Sequence, residues 1–186
     1  MTAGQSDSNS TPGTSKEVRL DIKKAKIVSN ITLNYEAEEH ENGTVNKIKK
    51  ECGHPIHDDL RLAMSKLNIH LALLCELVDI KSFPDLEFPQ HPILEKLAIS
   101  GVSFGGNDES EGVTIIGSRR LRGNKVLNLI SPFQKYEDDT PESYPFTSEL
   151  YADITNLYSE IEQYIGGKYG EGAQISMEFG DEPLPM

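Results

Sequence analysis

Three side chains of zinc-binding type fall within six residues: Cys52, His54 and His57, spaced Cys-x-His-x-x-His. A tetrahedral site needs a fourth ligand, and His70 or Cys75 would have to supply it. No second Cys/His pair stands at finger-like spacing; His54-Pro55 reads as a turn and His57 as the approach to a helix. His70 and Cys75 lie on an apolar helical pattern and read as core groups. The expectation is no metal. The carboxylates Asp108-Glu109 and Asp138-Asp139 read as solvated turns, and no pair stands out as an acid–base couple. Gly-x-Ser-x-Gly, a phosphate loop and a Rossmann fingerprint do not occur. No catalytic residue and no cofactor is expected.

Cations offer a second chemistry. Arg119, Arg120, Arg122 and Lys125 fall within seven residues around an expected hairpin turn. Such a cluster holds phosphates, the sequence-independent part of nucleic-acid binding. Lys23, Lys24, Lys26, Lys47, Lys49 and Lys50 extend it if the first hairpin lies nearby, and Phe133 and Tyr136 are candidates for stacking on bases. The competing reading is a solvated turn, with lysines protecting an edge strand against aggregation.

The third pattern is a peptide. Gln174-Ile175-Ser176-Met177-Glu178-Phe179 reads Gln-x-x-Met-x-Phe in a segment without helical or strand periodicity. In an extended chain the Gln174 amide fixes one end by hydrogen bonds while Met177 and Phe179 fill apolar pockets. The hexamer resembles the peptide by which bacterial and phage replication and repair proteins attach to the DNA polymerase sliding clamp. That resemblance implies a partner and names Gln174, Met177 and Phe179 as its contacts. The alternative is a short strand that docks back on its own domain.

These groups need a scaffold. Ile31, Leu33, Tyr35 and Ala37 alternate with polar residues, so Lys16 to Cys52 reads as extended, with one apolar face. Asn42-Gly43 is a strong hairpin signal, and the lysine-rich return from Thr44 to Cys52 suits an edge strand. Asp58 is expected to cap a helix along which Leu60, Met64, Leu67, Leu71, Leu74 and Val78 recur at spacings of three and four. Pro84, Pro89 and Pro92 mark a loop. Leu97–Phe104, with a bulge at Gly101, then Val113–Ser118 and Val126–Ile130 read as an antiparallel meander. Leu150, Ile154, Leu157, Ile161 and Ile165 stripe a final helix, which Gly166-Gly167 ends. The expected class is α+β: an antiparallel sheet of about five strands with two helices, in the order ββ-α-βββ-α. Residues 1–15, rich in Ser and Thr, are expected to be disordered, 16–167 to form one domain, and 168–186 to form a flexible acidic tail.

Charge divides the 186 residues unevenly. From Tyr136 onward there are 12 acidic residues and one basic, giving −11; the rest carries 17 basic and 18 acidic, giving −1, for a total of −12. An acidic surface repels phosphates, so any nucleic-acid contact must use local basic patches. Two cysteines suit a reducing, cytoplasmic setting, and no apolar run is long enough to span a membrane.

Residues 27–167 resemble a loose family of small phage and prophage proteins without an assigned activity. The resemblance rests on His57-Asp58-Asp59-Leu60, Leu97–Phe104, Val113 to Leu121, and Asn128-Leu129 before Ser131-Pro132-Phe133. It implies no catalytic residue. Together with the hexamer it leads to the first expectation: a non-enzymatic accessory protein of phage-type DNA metabolism, recruited to the clamp by its tail. Two alternatives stand beside it. One is an acidic, DNA-mimic type of inhibitor acting on a host protein. The other is a single-stranded DNA-binding protein with an acidic tail, although 7% aromatic content without Trp leaves few stacking platforms.

Overall fold

The structure, a computed structural model, describes residues 19–41, 43–82, 91–107, 110–137, 140 and 143–171. The class is α+β. Seven strands, β1 (Arg19–Val28), β2 (Thr32–Glu41), β3 (Thr44–Pro55), β4 (Leu97–Gly105), β5 (Gly112–Arg120), β6 (Val126–Ile130) and β7 (Gln134–Lys135), join two helices, α1 (Asp58–Leu74) and α2 (Thr147–Ile165). The sheet is antiparallel in the order β3-β2-β1-β4-β5-β6, with β7 also on β5.

The strand count exceeds the expected five by two: the segment before α1 folds back twice, giving three strands instead of two, and Gln134–Lys135 adds β7. Ser29 and Asn30 both adopt left-handed φ, 52° and 59°. The Ile31 N–H donates to the Val28 carbonyl at 3.0 Å, which closes a turn in the three-residue connection between β1 and β2. The turn lies next to the expected alternation and lacks glycine, the usual signal for this conformation. Gly43, with φ 78°, stands at the second hairpin, and β3 is an edge, as its lysines suggest.

Both helices cover one face. Ile22 and Ala25 of β1, Leu33 of β2, Val102 of β4, and Val113 and Ile115 of β5 form the inner surface of the core. Helix α1 adds Leu60, Leu67 and Leu71, and α2 adds Leu150, Leu157, Ile161 and Tyr164. Gly117 lets α1 approach β5: a Cβ there would stand 2.7 Å from the Ala98 carbonyl oxygen and 2.7 Å from Leu71 Cδ2. The other face carries no helix, and its strand residues are half-buried or exposed apart from two glycines: Gly101, whose missing side chain lets β1 close in, and Gly112, against which Phe133 and Gln134 pack. The α1 cap is His57 rather than Asp58: the Leu60 N–H donates to His57 Nδ1 at 3.2 Å. Among the described residues no helix is long and apolar enough to cross a membrane.

Candidate functional site

Antiparallel pairing places Arg119 and Arg120 on opposite faces of the sheet. Arg119 pairs with Leu97 and Leu127 on the helix side, half-buried, and its Nε lacks a hydrogen-bond partner. Arg120 is exposed on the open face, and Arg122 and Lys125 are exposed at the following turn, where Gly123 has φ 71°. The structure thus brings together three of the four expected cations and sends Arg119 inward, because successive strand side chains alternate.

The open face adds other cations. Lys24 pairs across with Glu36 and Ser103, and Lys26 with Asn34 and Gly101. Three lysines are neutralised locally: Lys23 by Asp21 and Glu38, Lys47 by Glu38, and Lys49 by Glu36. Lys24, Lys26 and Arg120 make no ion pair among the described residues. Between them lie Ser103, Thr114 and Ser118, small polar side chains that leave the backbone approachable. The only Phe or Tyr residues on the strands, Tyr35 and Phe104, face the helices. The face therefore suits phosphate contact, and its one aromatic among the described residues is Phe133, which lies against Gly105 and Gly112 at the end of the β4–β5 pair. Tyr136, a stacking candidate from the sequence, packs edge-on against Tyr151 at 5.3 Å between ring centres, and burial pushes its phenol far above the usual tyrosine range. Phe133 is exposed.

A cleft of about 450 Å³ lies between α2 and the ends of β1, β4 and β5. Phe104, Tyr136, Tyr151 and Tyr158 line it, with Asp21 and Glu111 among its charged residues. The Tyr158 hydroxyl accepts the Ile22 N–H at 3.0 Å, where a bulge in β1 between Ile22 and Lys24 interrupts the ladder. This hydroxyl repairs a strand irregularity. No motif marked the cleft, because its aromatics come from β4, the segment after β7, and α2.

The zinc-type residues are dispersed into other roles. Burial pushes the thiols of both Cys52 and Cys75 upward, away from the thiolate that binds metal. His54 stacks on Tyr169, with ring centres 4.1 Å apart. His57, Asp59 and Glu160 do converge within metal-binding range. Lys168 occupies that place: its ammonium lies 2.7 Å from Asp59 and 2.9 Å from Glu160. The Lys168 contact holds the Asp59 carboxyl below its usual range, and Asp59 and Glu160 hold the Lys168 ammonium above its own. His57 Nδ1 is used by the cap, so its proton resides on Nε2, 3.8 Å from Glu160. A neutral imidazole in that tautomer has no second lone pair for a metal.

His70, almost fully buried, sits between two partners the sequence did not connect. Its Nδ1 lies 2.8 Å from the Tyr144 hydroxyl and its Nε2 lies 3.3 Å from Asp153 Oδ2. The carboxylate assigns the proton to Nε2, so Tyr144 donates to Nδ1. Burial, with Glu149 and Asp153 nearby, raises the Tyr144 phenol and keeps it a donor. Thus Asp153 and Glu160, two of the acids on α2, serve internal bonds to His70 and Lys168 rather than a free acidic surface.

The chain remains on the domain beyond α2. Tyr169 covers His54, and the Gly170 N–H donates to the Pro55 carbonyl at 2.9 Å. With Lys168 on Asp59 and Glu160, these bonds hold residues 168–170 against the end of β3 and the start of α1. Gln174, Met177 and Phe179 lie outside the described residues. Comparison with known proteins finds no matching family model, no matching curated protein and no matching solved structure.

Proposed function

We propose that this chain is a non-enzymatic accessory protein of phage-type DNA metabolism, recruited to a DNA polymerase sliding clamp through Gln174, Met177 and Phe179. The supporting observation is the anchored exit of the chain. Lys168, Tyr169 and Gly170 are fixed to the domain, and Gln174 follows Gly170 by four residues. Four extended residues reach roughly 14 Å, so a clamp holding the hexamer would lie beside the β3–α1 end of the domain. Peptide docking of this type rests on a few anchors and is offset by the entropy of ordering the segment, so micromolar affinity is expected, on the order of 8 kcal/mol.

The test is calorimetry of a peptide spanning Gly172 to Asp181 against the clamp of the host. A pull-down with the full chain, and with the chain ending at Ala173, completes it. Binding by the peptide, lost in Met177→Ala/Phe179→Ala, is the expected result. No heat with the unsubstituted peptide, or equal retention of both chains, refutes the proposal.

Weak, salt-sensitive contact with single-stranded DNA is a second reading. Its motivation is the set Lys24, Lys26 and Arg120 on the open face, with Arg122 and Lys125 at its margin. Such contact is chiefly electrostatic and falls steeply with salt.

A further inference from the structure

The two edges of the sheet differ in kind. Edge strand β3 carries Lys47, Lys49 and Lys50, charges that discourage pairing with another strand. Edge strand β6 reads Val-Leu-Asn-Leu-Ile and has no such protection: Val126 is 63% exposed, Leu127 44% and Ile130 68%. Leu121 and Phe133 flank it and are also exposed. Among the described residues, five of the eleven exposed large hydrophobic side chains therefore fall between residues 121 and 133.

The hydrogen-bond phase of β6 can be read from its two ends. The Leu121 N–H donates to the Lys125 carbonyl at 2.8 Å, and the Ser131 N–H donates to the Ile115 carbonyl at 2.9 Å. Antiparallel ladders alternate, so Leu127 and Leu129 turn their backbone groups toward β5. Val126, Asn128 and Ile130 turn theirs outward, to the open edge. At Ser131 the strand breaks: its hydroxyl takes the Ile115 N–H at 2.9 Å, and Pro132 follows. The open edge thus offers three outward backbone units, symmetric about Asn128.

From this we infer that β6 is a homodimer edge, pairing antiparallel with β6 of a second copy across a two-fold axis at Asn128. In this register every outward unit meets another: Val126 meets Ile130 of the second copy, Asn128 meets Asn128, and Ile130 meets Val126. Leu127 then faces Leu129 of the second copy on the helix side. All apolar side chains oppose apolar ones, and the single polar residue opposes itself. A shift by two residues leaves an outward unit unpaired and sets Asn128 against Val126 or Ile130. Charge selects the antiparallel sense. Lys125 and its symmetry mate stand six residues apart along the paired strands, about 20 Å, which is beyond the reach of unscreened repulsion at physiological salt. A parallel pair would set the Arg120–Lys125 cations side by side. An isologous contact of this form closes on itself and joins two seven-stranded sheets into one. It does not depend on the clamp reading.

Sedimentation of the full chain across about two decades of concentration tests the inference. The expected result is a reversible shift toward twice the chain mass of 20.6 kDa. Val126→Lys/Ile130→Lys changes only exposed side chains, and should abolish the shift while leaving the thermal melt in place. Asn128→Pro removes an N–H that β5 does not use, and should weaken association likewise. Asn128→Cys reports the register. Hydrogen-bonded antiparallel partners have Cα atoms about 5.5 Å apart, within disulfide range, so this variant should form a covalent dimer under mild oxidation that the unsubstituted chain does not. A chain that stays monomeric throughout, a dimer that survives the lysine pair, or an Asn128→Cys variant that cross-links no faster than the unsubstituted chain overturns it.

Discussion

The contact between Leu71 and Gly117 is where α1 meets the sheet, and a double-mutant cycle isolates it. Leu71 is fully buried, so Leu71→Ala removes buried atoms and leaves a void, at a cost of about 2–5 kcal/mol. Gly117→Ala does the opposite. Its methyl would stand 2.7 Å from both Leu71 Cδ2 and the Ala98 carbonyl oxygen, so it overpacks and costs about 1–3 kcal/mol. In the double variant the Leu71 clash is gone and the new methyl enters the void, while the Ala98 contact persists. The combined loss should therefore fall short of the sum by about 1 kcal/mol or more, as residues in contact do. Urea denaturation at unchanged slope reads each term, and each kcal/mol moves the melting temperature by about 2–4 °C in a chain of this size. Additivity within about 0.5 kcal/mol would remove the Leu71–Gly117 contact from the account. A Leu71→Ala variant that melts like the unsubstituted chain would remove α1 from the core.

Two further outcomes follow from the charges. Asp59 is held below its ordinary pKa by Lys168, so its contribution is present above the usual aspartate range and is lost as pH falls through its lowered value. Lys168 is held above its ordinary pKa, chiefly by Asp59, so its contribution is complete below the usual lysine range and is lost as pH rises through its raised value. The anchor of residues 168–170 should thus hold from about pH 4 to about pH 10, and Lys168→Met should speed exchange of the Gly170 amide proton at neutral pH without lowering protection in α1. Unchanged exchange would detach Lys168 from that role. Arg120→Glu/Arg122→Glu should abolish any low-salt binding of a single-stranded oligonucleotide measured by fluorescence anisotropy, whereas Arg119→Gln should leave most of it; equal retention by the charge-reversed variant would move the contact elsewhere.

Helix α2 and the β4–β5–β6 meander were legible because their patterns are local. Leu150, Ile154, Leu157 and Ile161 repeat at the helical period and are buried together. Gly101 sits at a register shift where the spacing of Ile99 and Val102 breaks. The lysines of β3 correctly marked an edge. The turn at Ser29-Asn30 was less legible, since its left-handed conformations come without glycine. The α1 cap is not legible from residue type either: Asp58 has the commoner capping side chain, yet the chain enters with His57 in extended backbone, φ −77° and ψ 164°, and its ring reaches Leu60.

By itself the sequence determined which residues are apolar, at what period, and hence the α+β class with both helices. It also determined the uneven charge and the Gln-x-x-Met-x-Phe spacing. Only the tertiary structure decided which side of a strand each side chain takes. That parity parted Arg119 from Arg120, and it turned Val126, Asn128 and Ile130 outward from β5. Only the tertiary structure joined His70 to Tyr144 and Asp153, and Lys168 to Asp59 and Glu160, across as many as 109 positions of chain (168 − 59 = 109). The reason is physical. Periodicity is a property of neighbours along the chain, whereas a buried hydrogen bond, an ion pair or an open sheet edge depends on which distant segments pack together.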